Sequence, residues 1–183
     1  MQLHLGCWHR HIPGFIHIDL CNMPHIDYKR NIDDLSIFSD SSIDLIYSSH
    51  SFEYFDRIKG MDVLKEWHRV LKPRGILRIA VPDFDQLITL YNRTGEIEKI
   101  LGPLYGRMEI KTENSEQILY HKTTYNFKSL KSILEICGFT NVTRYDWRNT
   151  IHKDYDDHSQ AYYPHMDKDH GLLLSLNVEA MKL

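Results

Sequence analysis

The sequence predicts an α/β fold with a doubly wound, mostly parallel sheet, and three observations support this prediction. Short apolar segments that are typical of buried strands alternate with amphipathic helices along most of the chain. The segment 42–49, SIDLIYSS, is almost continuously apolar, as expected of a strand that helices cover on both faces. Glycine and polar residues collect where the predicted strands end, and ligands bind at that edge in such sheets.

The first two predicted strands, 2–5 and 15–19, follow each other closely. The connection begins with Gly6 and is too short for the full helix that normally joins parallel strands. We therefore expect a shortened connection after the first strand. The second strand ends at Asp19, so a bare backbone corner and a carboxylate should meet at one edge of the sheet.

The helices are marked by apolar residues at spacings of three and four and by recognisable ends. In the segment 60–75 the apolar face contains Val63, Trp67 and Val70, and Pro73 ends the helix. In the segment 126–139, Asn126 is a plausible N-cap and Gly138 a left-handed terminator. The remaining predicted elements are a strand at 76–83, a helix at 84–95, and strands at 140–147 and 171–180.

Composition favours one domain that spans 1–183, with a core at 1–147, a loop at 148–170 and a final strand at 171–183. The net charge of −3 makes nucleic acid an unlikely partner. No stretch approaches the 18 or so apolar residues of a membrane span. The three cysteines (Cys7, Cys21 and Cys137) match neither a disulfide framework nor a zinc motif, so we expect reduced thiols in a cytoplasmic protein.

The chain has twelve histidines, and several lie near the N-terminus. His4 and His17 fall on separate predicted strands, and the connection between them contains no carboxylate, so we expect no metal site there. The loop 148–170 is rich in tyrosine, histidine and aspartate. Its length suggests an ordered role, either as a lid over the acceptor or as a contact in a homo-oligomer.

Several segments, in order, carry a family resemblance: LHLGC, GFIHIDL, NIDDLS, SSIDLIYSSHSFEYF, EWHRVLKPRGILRIAVPDF and HKTTYNFKSLKSILEICGFTNVTRYDW. Together they resemble the class I S-adenosylmethionine-dependent methyltransferases, and most of all the short methyltransferase type 11-like group. The resemblance covers residues 3 to 147, and RVLKPRGILRIAVPD is its most specific part. It implies a Rossmann-like fold, S-adenosyl-L-methionine as cofactor, and methyl transfer to a small-molecule or glycan-like acceptor.

The resemblance also implies roles for individual residues in cofactor binding. The Gly6-Cys7 turn would contact the methionine part of the cofactor, and Asp19 would accept both ribose hydroxyls. Asp34, or Asp33 as the alternative, would meet the adenine amino group, with Leu35 against the ring. Ser48 and Ser49 would lie near the sulfonium. From its charge we add the hypothesis that Arg10, with His9 or His11, pairs with the cofactor carboxylate.

Candidate bases for an acceptor hydroxyl or amine are His50, Asp83, His121 and His158, and His50 leads because it follows a strand end. Two positions depart from the family pattern. Trp8 stands where the family usually has glycine, and Tyr54 stands where it often has histidine. These departures leave open an alternative, a non-catalytic protein of the same fold with a binding, sensing or assembly role.

Overall fold

The computed structural model describes residues 1–112 and 115–183. The strands are β1 (Gln2–Leu5), β2 (Ile16–Asp19), β3 (Tyr28–Lys29), β4 (Ile43–Ser49), β5 (Leu71–Pro82), β6 (Met108–Thr112), β7 (Ser115–Leu119), β8 (Phe139–Arg144), β9 (Tyr162–Tyr163), β10 (Leu172–Leu173) and β11 (Ser175–Lys182). The α-helices are α1 (Arg57–Val70), α2 (Phe84–Thr94), α3 (Glu98–Tyr105) and α4 (Phe127–Ile136). None of the helices in these described ranges is long and apolar enough to cross a membrane.

The main sheet has seven strands in the order β3-β2-β1-β4-β5-β11-β8. The first five run parallel, and Leu3 pairs with Ile16 on one side and with Ile46 on the other. β11 is antiparallel to both β5 and β8. The predicted α/β fold with a mostly parallel sheet is therefore confirmed, with an antiparallel strand inserted near one edge.

Residues 6–15, between β1 and β2, contain no helix, as the short connection predicts. Apolar side chains of the connection replace the missing helix, because Ile12 and Phe15 are buried against Leu45 and Tyr47. The Gly6 amide donates to the Ile18 carbonyl at 2.9 Å, which holds the corner close to β2.

The predicted helix at 60–75 begins earlier and ends earlier than expected, at Arg57 and Val70. Asp56 is its N-cap and accepts from two amides of the first turn, a signal that the apolar pattern did not contain. Trp67 is fully buried, and its indole donates to the Ile32 carbonyl at 2.8 Å. The indole therefore ties α1 to the loop that follows β3.

The caps predicted for the helix at 126–139 are confirmed. Asn126 and Ser129 form a reciprocal capping box at the start of α4, and Gly138 follows its end with φ +95°. α2 likewise ends at Gly95, which adopts the left-handed conformation.

Residues 96–122 add α3 and the β6–β7 hairpin, which the sequence pattern did not predict. The hairpin forms its own two-stranded sheet outside the main sheet. The 148–170 segment contains short 3₁₀ turns and β9, which pairs with β10. Both additions lie beside the carboxyl ends of the parallel strands, where they complete the cavities described next.

Candidate functional site

Two adjoining cavities lie at the carboxyl ends of β1, β2 and β4, with volumes of about 900 Å³ and about 240 Å³. We call them the larger and the smaller cavity. Their linings share Gly6, Trp8, Tyr54 and Met108. An elongated ligand could therefore pass from one cavity to the other across the corner at Gly6.

The corner at Gly6 needs a residue without a side chain. Gly6 has φ +67°, and a Cβ there would lie 2.6 Å from Ser51 Oγ and closer still to its Cβ. Trp8 also has a positive φ, and its indole is 44% exposed where it lines both cavities. The departure from the family pattern at Trp8 thus places an aromatic side chain at the junction of the two cavities.

Asp19 ends β2 and lines the smaller cavity, as its position in the sequence predicts. One carboxylate oxygen accepts the Trp8 amide at 2.8 Å, and the other accepts the Cys21 amide at 2.8 Å. A carboxylate offers about four acceptor positions, so about two remain for a ligand. The two amides fix the orientation of the carboxylate, which is only 8% exposed.

The residues predicted to meet an adenine ring do not line either cavity. Neither Asp33 nor Asp34 lines a cavity, because Asp33 pairs with Lys59 at 2.8 Å and Asp34 with Arg30 at 2.7 Å. Leu35 is fully buried in the core. The residues that do line the smaller cavity after β3 are Asn31 and Ile32.

Cys7 and Arg10 both line the larger cavity. Burial raises the pKa of the Cys7 thiol far above its usual range, so the sulfur is an uncharged part of the lining. Arg10 donates through Nε to the Asp156 carbonyl at 2.6 Å, and its guanidinium also contacts His9. The remaining N–H groups of Arg10 are the cationic donors of this cavity nearest to the Gly6 corner in sequence.

The two serines after β4 differ in their surroundings. Ser48 is fully buried, lines neither cavity, and its hydroxyl lies 2.5 Å from the Ser51 hydroxyl. Ser49 lines the larger cavity, and its hydroxyl donates to Asp157 at 3.3 Å. Of the two predicted contacts, the structure brings only Ser49 to a cavity.

Three of the candidate bases, His50, His121 and His158, line the larger cavity. The His50 and His158 rings are 5.3 Å apart between centroids, and His121 packs edge-on against Tyr54 at 4.7 Å. Asp83 is not among them, although the sequence placed it at a strand end. Its carboxylate caps α2 and receives Arg144 at 3.0 Å, so Asp83 stabilises the fold at this edge.

Sequence reasoning missed Glu53, whose side chain is fully buried and whose two oxygens receive no hydrogen bond from any described residue. Oε1 lies 3.5 Å from His50 Nδ1 and 3.6 Å from His121 Nε2. Burial raises the pKa of Glu53 from 4.5 to about 8. The available signal was an acidic residue between aromatic residues in SFEYF, directly after the strand end.

The covering of the cavities comes from two segments. Met108, Ile110, Gln117 and Leu119 of the hairpin line the smaller cavity. From the 148–170 segment, which the sequence analysis considered as a lid, the larger cavity is lined by Asp157, His158 and Ala161. Within residues 1–112 and 115–183, no group of three or more His, Cys, Asp or Glu side chains is arranged to hold a metal ion.

Comparisons with known proteins agree with this fold. A family model described as a methyltransferase domain matches residues 18–79. A structure of a putative S-adenosylmethionine-dependent methyltransferase from Listeria monocytogenes matches all of this chain and 90% of its own, with a TM-score of 0.53 and 17% identity. A SAM-dependent methyltransferase from Archaeoglobus fulgidus matches 99% of this chain and 85% of its own, with a TM-score of 0.58 and 16% identity. Residues 18–79 therefore match a methyltransferase domain, and the whole chain has the fold of the S-adenosylmethionine-dependent methyltransferase family.

Members of this family use S-adenosyl-L-methionine. Among the curated proteins, the demethylmenaquinone methyltransferase of Staphylococcus epidermidis is 26% identical over 128 residues, which is 61% of this chain. The chain spans about half the length of the curated relatives it matches. The matched range 18–79 of the methyltransferase domain includes Asp19, Asn31, His50 and Glu53, whereas His121 and His158 lie outside it.

Proposed function

We propose that this protein is a methyltransferase that binds S-adenosylmethionine across the Gly6 corner and transfers its methyl group to a small-molecule acceptor in the larger cavity. The observation that carries the proposal is the junction itself. The bare backbone at Gly6 joins a small cavity containing the fixed Asp19 carboxylate to a large cavity lined by three histidines.

The smaller cavity suits the adenosine part of the cofactor. The acceptor positions left on Asp19 would receive the two ribose hydroxyls. We assign the adenine edge to Asn31 and Ile32 instead of Asp33, Asp34 and Leu35, because only the former two line the cavity. Apolar side chains that line the same cavity would cover the faces of the base; they are Phe55, Ile110 and Leu119.

The larger cavity suits the amino acid end of the cofactor together with the acceptor. Arg10 lines it and has N–H groups left to pair with a carboxylate, and the Gly6-Cys7 backbone lies between Arg10 and the smaller cavity. A cavity of about 900 Å³ leaves room for a second small molecule beside the methionine part. Two relatives are named for the small molecules demethylmenaquinone and 1,6-didemethyltoxoflavin, which supports an acceptor of this class.

We assign the base to His158 in preference to His50. Within the described part of the chain neither ring nitrogen of His158 has a hydrogen-bond partner, whereas His50 Nε2 bonds to Ser175 and its Nδ1 faces Glu53. Desolvation by the surrounding protein lowers the pKa of His158, so the ring is neutral at pH 7 and can accept a proton.

Isothermal titration calorimetry of the wild-type protein with S-adenosylmethionine and S-adenosylhomocysteine tests cofactor binding. The variant Asp19→Asn should bind at least about tenfold more weakly, because a hydrogen bond to a charged acceptor contributes about 1.5–3 kcal/mol. The matched control is Asp62→Asn, since the side chain of Asp62 is 65% exposed on α1. Equal affinity in the Asp19 and Asp62 variants would contradict the placement of the ribose.

Release of S-adenosylhomocysteine on incubation with pools of small molecules then tests transfer itself. Turnover on a hydroxyl-bearing or amine-bearing pool would support the enzyme assignment, and a sugar-containing pool would identify a glycan-like acceptor. Tight binding of the cofactor without turnover on any pool would support the alternative, a sensing or assembly protein that has kept the site. Trp8 at the junction is the feature that favours this alternative.

A further inference from the structure

Glu53 lies in the short 3₁₀ turn Phe52–Tyr54, between β4 and α1. Its side chain is removed from solvent, yet no described residue donates a hydrogen bond to either carboxyl oxygen. A buried ionised carboxylate without donors is costly, so the protonation state of this group requires an explanation. The orientation of the two neighbouring histidines provides one.

A chain of hydrogen bonds fixes which nitrogen of His50 carries hydrogen. The Asn177 side-chain amide donates to the Ser159 carbonyl at 2.8 Å, so its oxygen accepts the Ser175 hydroxyl at 2.9 Å. Because Ser175 gives its only hydrogen to Asn177, its oxygen must accept from His50 Nε2 at 3.0 Å. The other nitrogen, Nδ1, is then a lone pair in the neutral ring, and it lies 3.5 Å from Glu53 Oε1.

His121 also presents a ring lone pair to Glu53. Its Nδ1 lies 3.0 Å from the Pro103 carbonyl, which can only accept, so Nδ1 carries the hydrogen. Nε2 is therefore a lone pair in the neutral ring, 3.6 Å from Glu53 Oε1. Gly106, with φ +41°, allows the His121 ring to occupy this position, because a Cβ on residue 106 would overlap the ring.

Two lone pairs thus face one carboxyl oxygen in a space closed to water. An ionised Glu53 would add a third electron-rich group, whereas one proton on the carboxyl supplies a donor between the rings. We propose that Glu53 is a protonated carboxylic acid at neutral pH and that its proton, shared with His50 and His121, fixes both rings in the lining of the larger cavity. Glu53 is then a positioning residue of the acceptor site.

The other titratable groups around Glu53 are compatible with this assignment. Tyr54 and Tyr125 are the neighbouring phenols, and burial, with a smaller contribution from Glu53, raises the pKa of each to about 12. His158 lies on the far side of His50, whose own pKa burial lowers well below its usual range. Burial of Glu53 likewise raises its pKa to about 8, so the proton stays on the carboxyl at pH 7.

The consequence for transfer rests on the proposed function. With one proton the group of His50, Glu53 and His121 is uncharged, so it places no cation beside a positively charged sulfonium. It also leaves His158 as the ring that takes the acceptor proton. In that step the acceptor O or N would form a bond to the methyl carbon while the carbon–sulfur bond breaks and leaves its electron pair on sulfur, giving S-adenosylhomocysteine. The acceptor proton would move from O or N to a His158 nitrogen, and its former bonding pair would stay on the acceptor atom.

The test needs neither cofactor nor acceptor, so it can fail independently of the proposed function. Protein labelled with ¹³C at glutamate carboxyl groups and ¹⁵N at histidine is titrated by nuclear magnetic resonance. We expect one glutamate carboxyl to titrate near pH 8, and a protonated-carboxyl infrared band at pH 7. We expect neutral rings with hydrogen on Nε2 of His50 and on Nδ1 of His121.

The variants assign these signals. Glu53→Gln should remove the titration and the infrared band while keeping both ring tautomers, because Ser175 and the Pro103 carbonyl fix these tautomers. Glu66→Gln is the control, since Glu66 is ionised beside Arg69 and should leave both signals unchanged. The proposal is overturned if every glutamate titrates below pH 6 or if either ring is an imidazolium at pH 7. It is also overturned if Zn²⁺ binds stoichiometrically and Glu53→Gln abolishes this binding, because Glu53 would then be an ionised metal ligand.

Discussion

Replacing Glu53 by glutamine should stabilise the folded protein at neutral pH, an unusual result for a fully buried polar position. The pKa of Glu53 is about 8 in the folded protein against an ordinary 4.5. Above pH 4.5 the unfolded chain gains stability by releasing this proton, whereas the folded protein keeps it until pH 8. Stability therefore falls as pH rises between these two values and is constant above them.

The magnitude follows from the two pKa values. Each pKa unit corresponds to about 1.36 kcal/mol, so the full difference of 3.5 units amounts to about 5 kcal/mol above pH 8. At pH 7 the contribution is about 3 kcal/mol. Glutamine has the same shape and no proton to lose, so Glu53→Gln should be more stable than wild type by up to about 3 kcal/mol at pH 7 and equally stable near pH 4.

Urea denaturation at pH 5, 7 and 8.5 measures the effect as the difference in free energy of unfolding between variant and wild type. For the control Glu66→Gln the difference should be nearly the same at all three pH values, because hydrogen bonds from Arg69 lower the pKa of Glu66 and keep it ionised throughout this range. Its carboxylate contributes stability above pH 4.5 that is lost as the pH falls through the folded pKa. A difference for Glu53→Gln that does not change between pH 5 and 8.5 would refute the assignment of a protonated Glu53.

Three further predictions concern the site. Gly6→Ala should lower the free energy of unfolding by about 1–3 kcal/mol and weaken S-adenosylmethionine binding, because a side chain at φ +67° meets Ser51; thermal denaturation and calorimetry measure both. Asn31→Ala should weaken cofactor binding several-fold while Asp34→Ala leaves it unchanged, and the reverse order would restore the original assignment of Asp34. His158→Gln should lower kcat by about 10²–10⁴-fold with little change in cofactor affinity, and an unchanged pH–rate profile would remove His158 as the base.

The sequence pattern predicts β1, β2, β4 and the second part of β5, because each is a short apolar run followed by a polar or glycine residue. It misses β3, which consists of two exposed residues, and it assigned the start of β5 to the preceding helix. β11 was predicted as a strand, but its antiparallel placement between β5 and β8 is set by long-range pairing that no local pattern records. α3 shows the opposite difficulty, since it is short, contains Pro103 and buries none of its residues. A segment of this kind has no strong apolar period to detect.

The site is predictable where the chemistry lies on the strand ends and not where it depends on neighbours. Asp19 and His50 follow directly from their positions after β2 and β4. Asp34 looked equally suitable in the sequence, but an ion pair with Arg30 four residues earlier removes it from the cavity. The role of Glu53 could not be predicted from the sequence, because it depends on the tautomers of the two neighbouring histidines. Ser175 and Pro103, which are distant in the chain, fix these tautomers.

The short first connection and the position of His158 have one structural cause. Because no helix follows β1, the space above Tyr47 is open to the 148–170 segment. His152 stacks on the Tyr47 ring at 3.9 Å, the Tyr47 hydroxyl donates to Asp157 at 2.5 Å, and Arg10 of the connection holds the Asp156 carbonyl. These contacts place His158 beside the strand end of β4. The larger cavity is therefore lined by residues of the matched range, such as Ser49 and His50, together with His158 from outside it, so the specificity of the proposed methyltransferase should be sought in both parts of the chain.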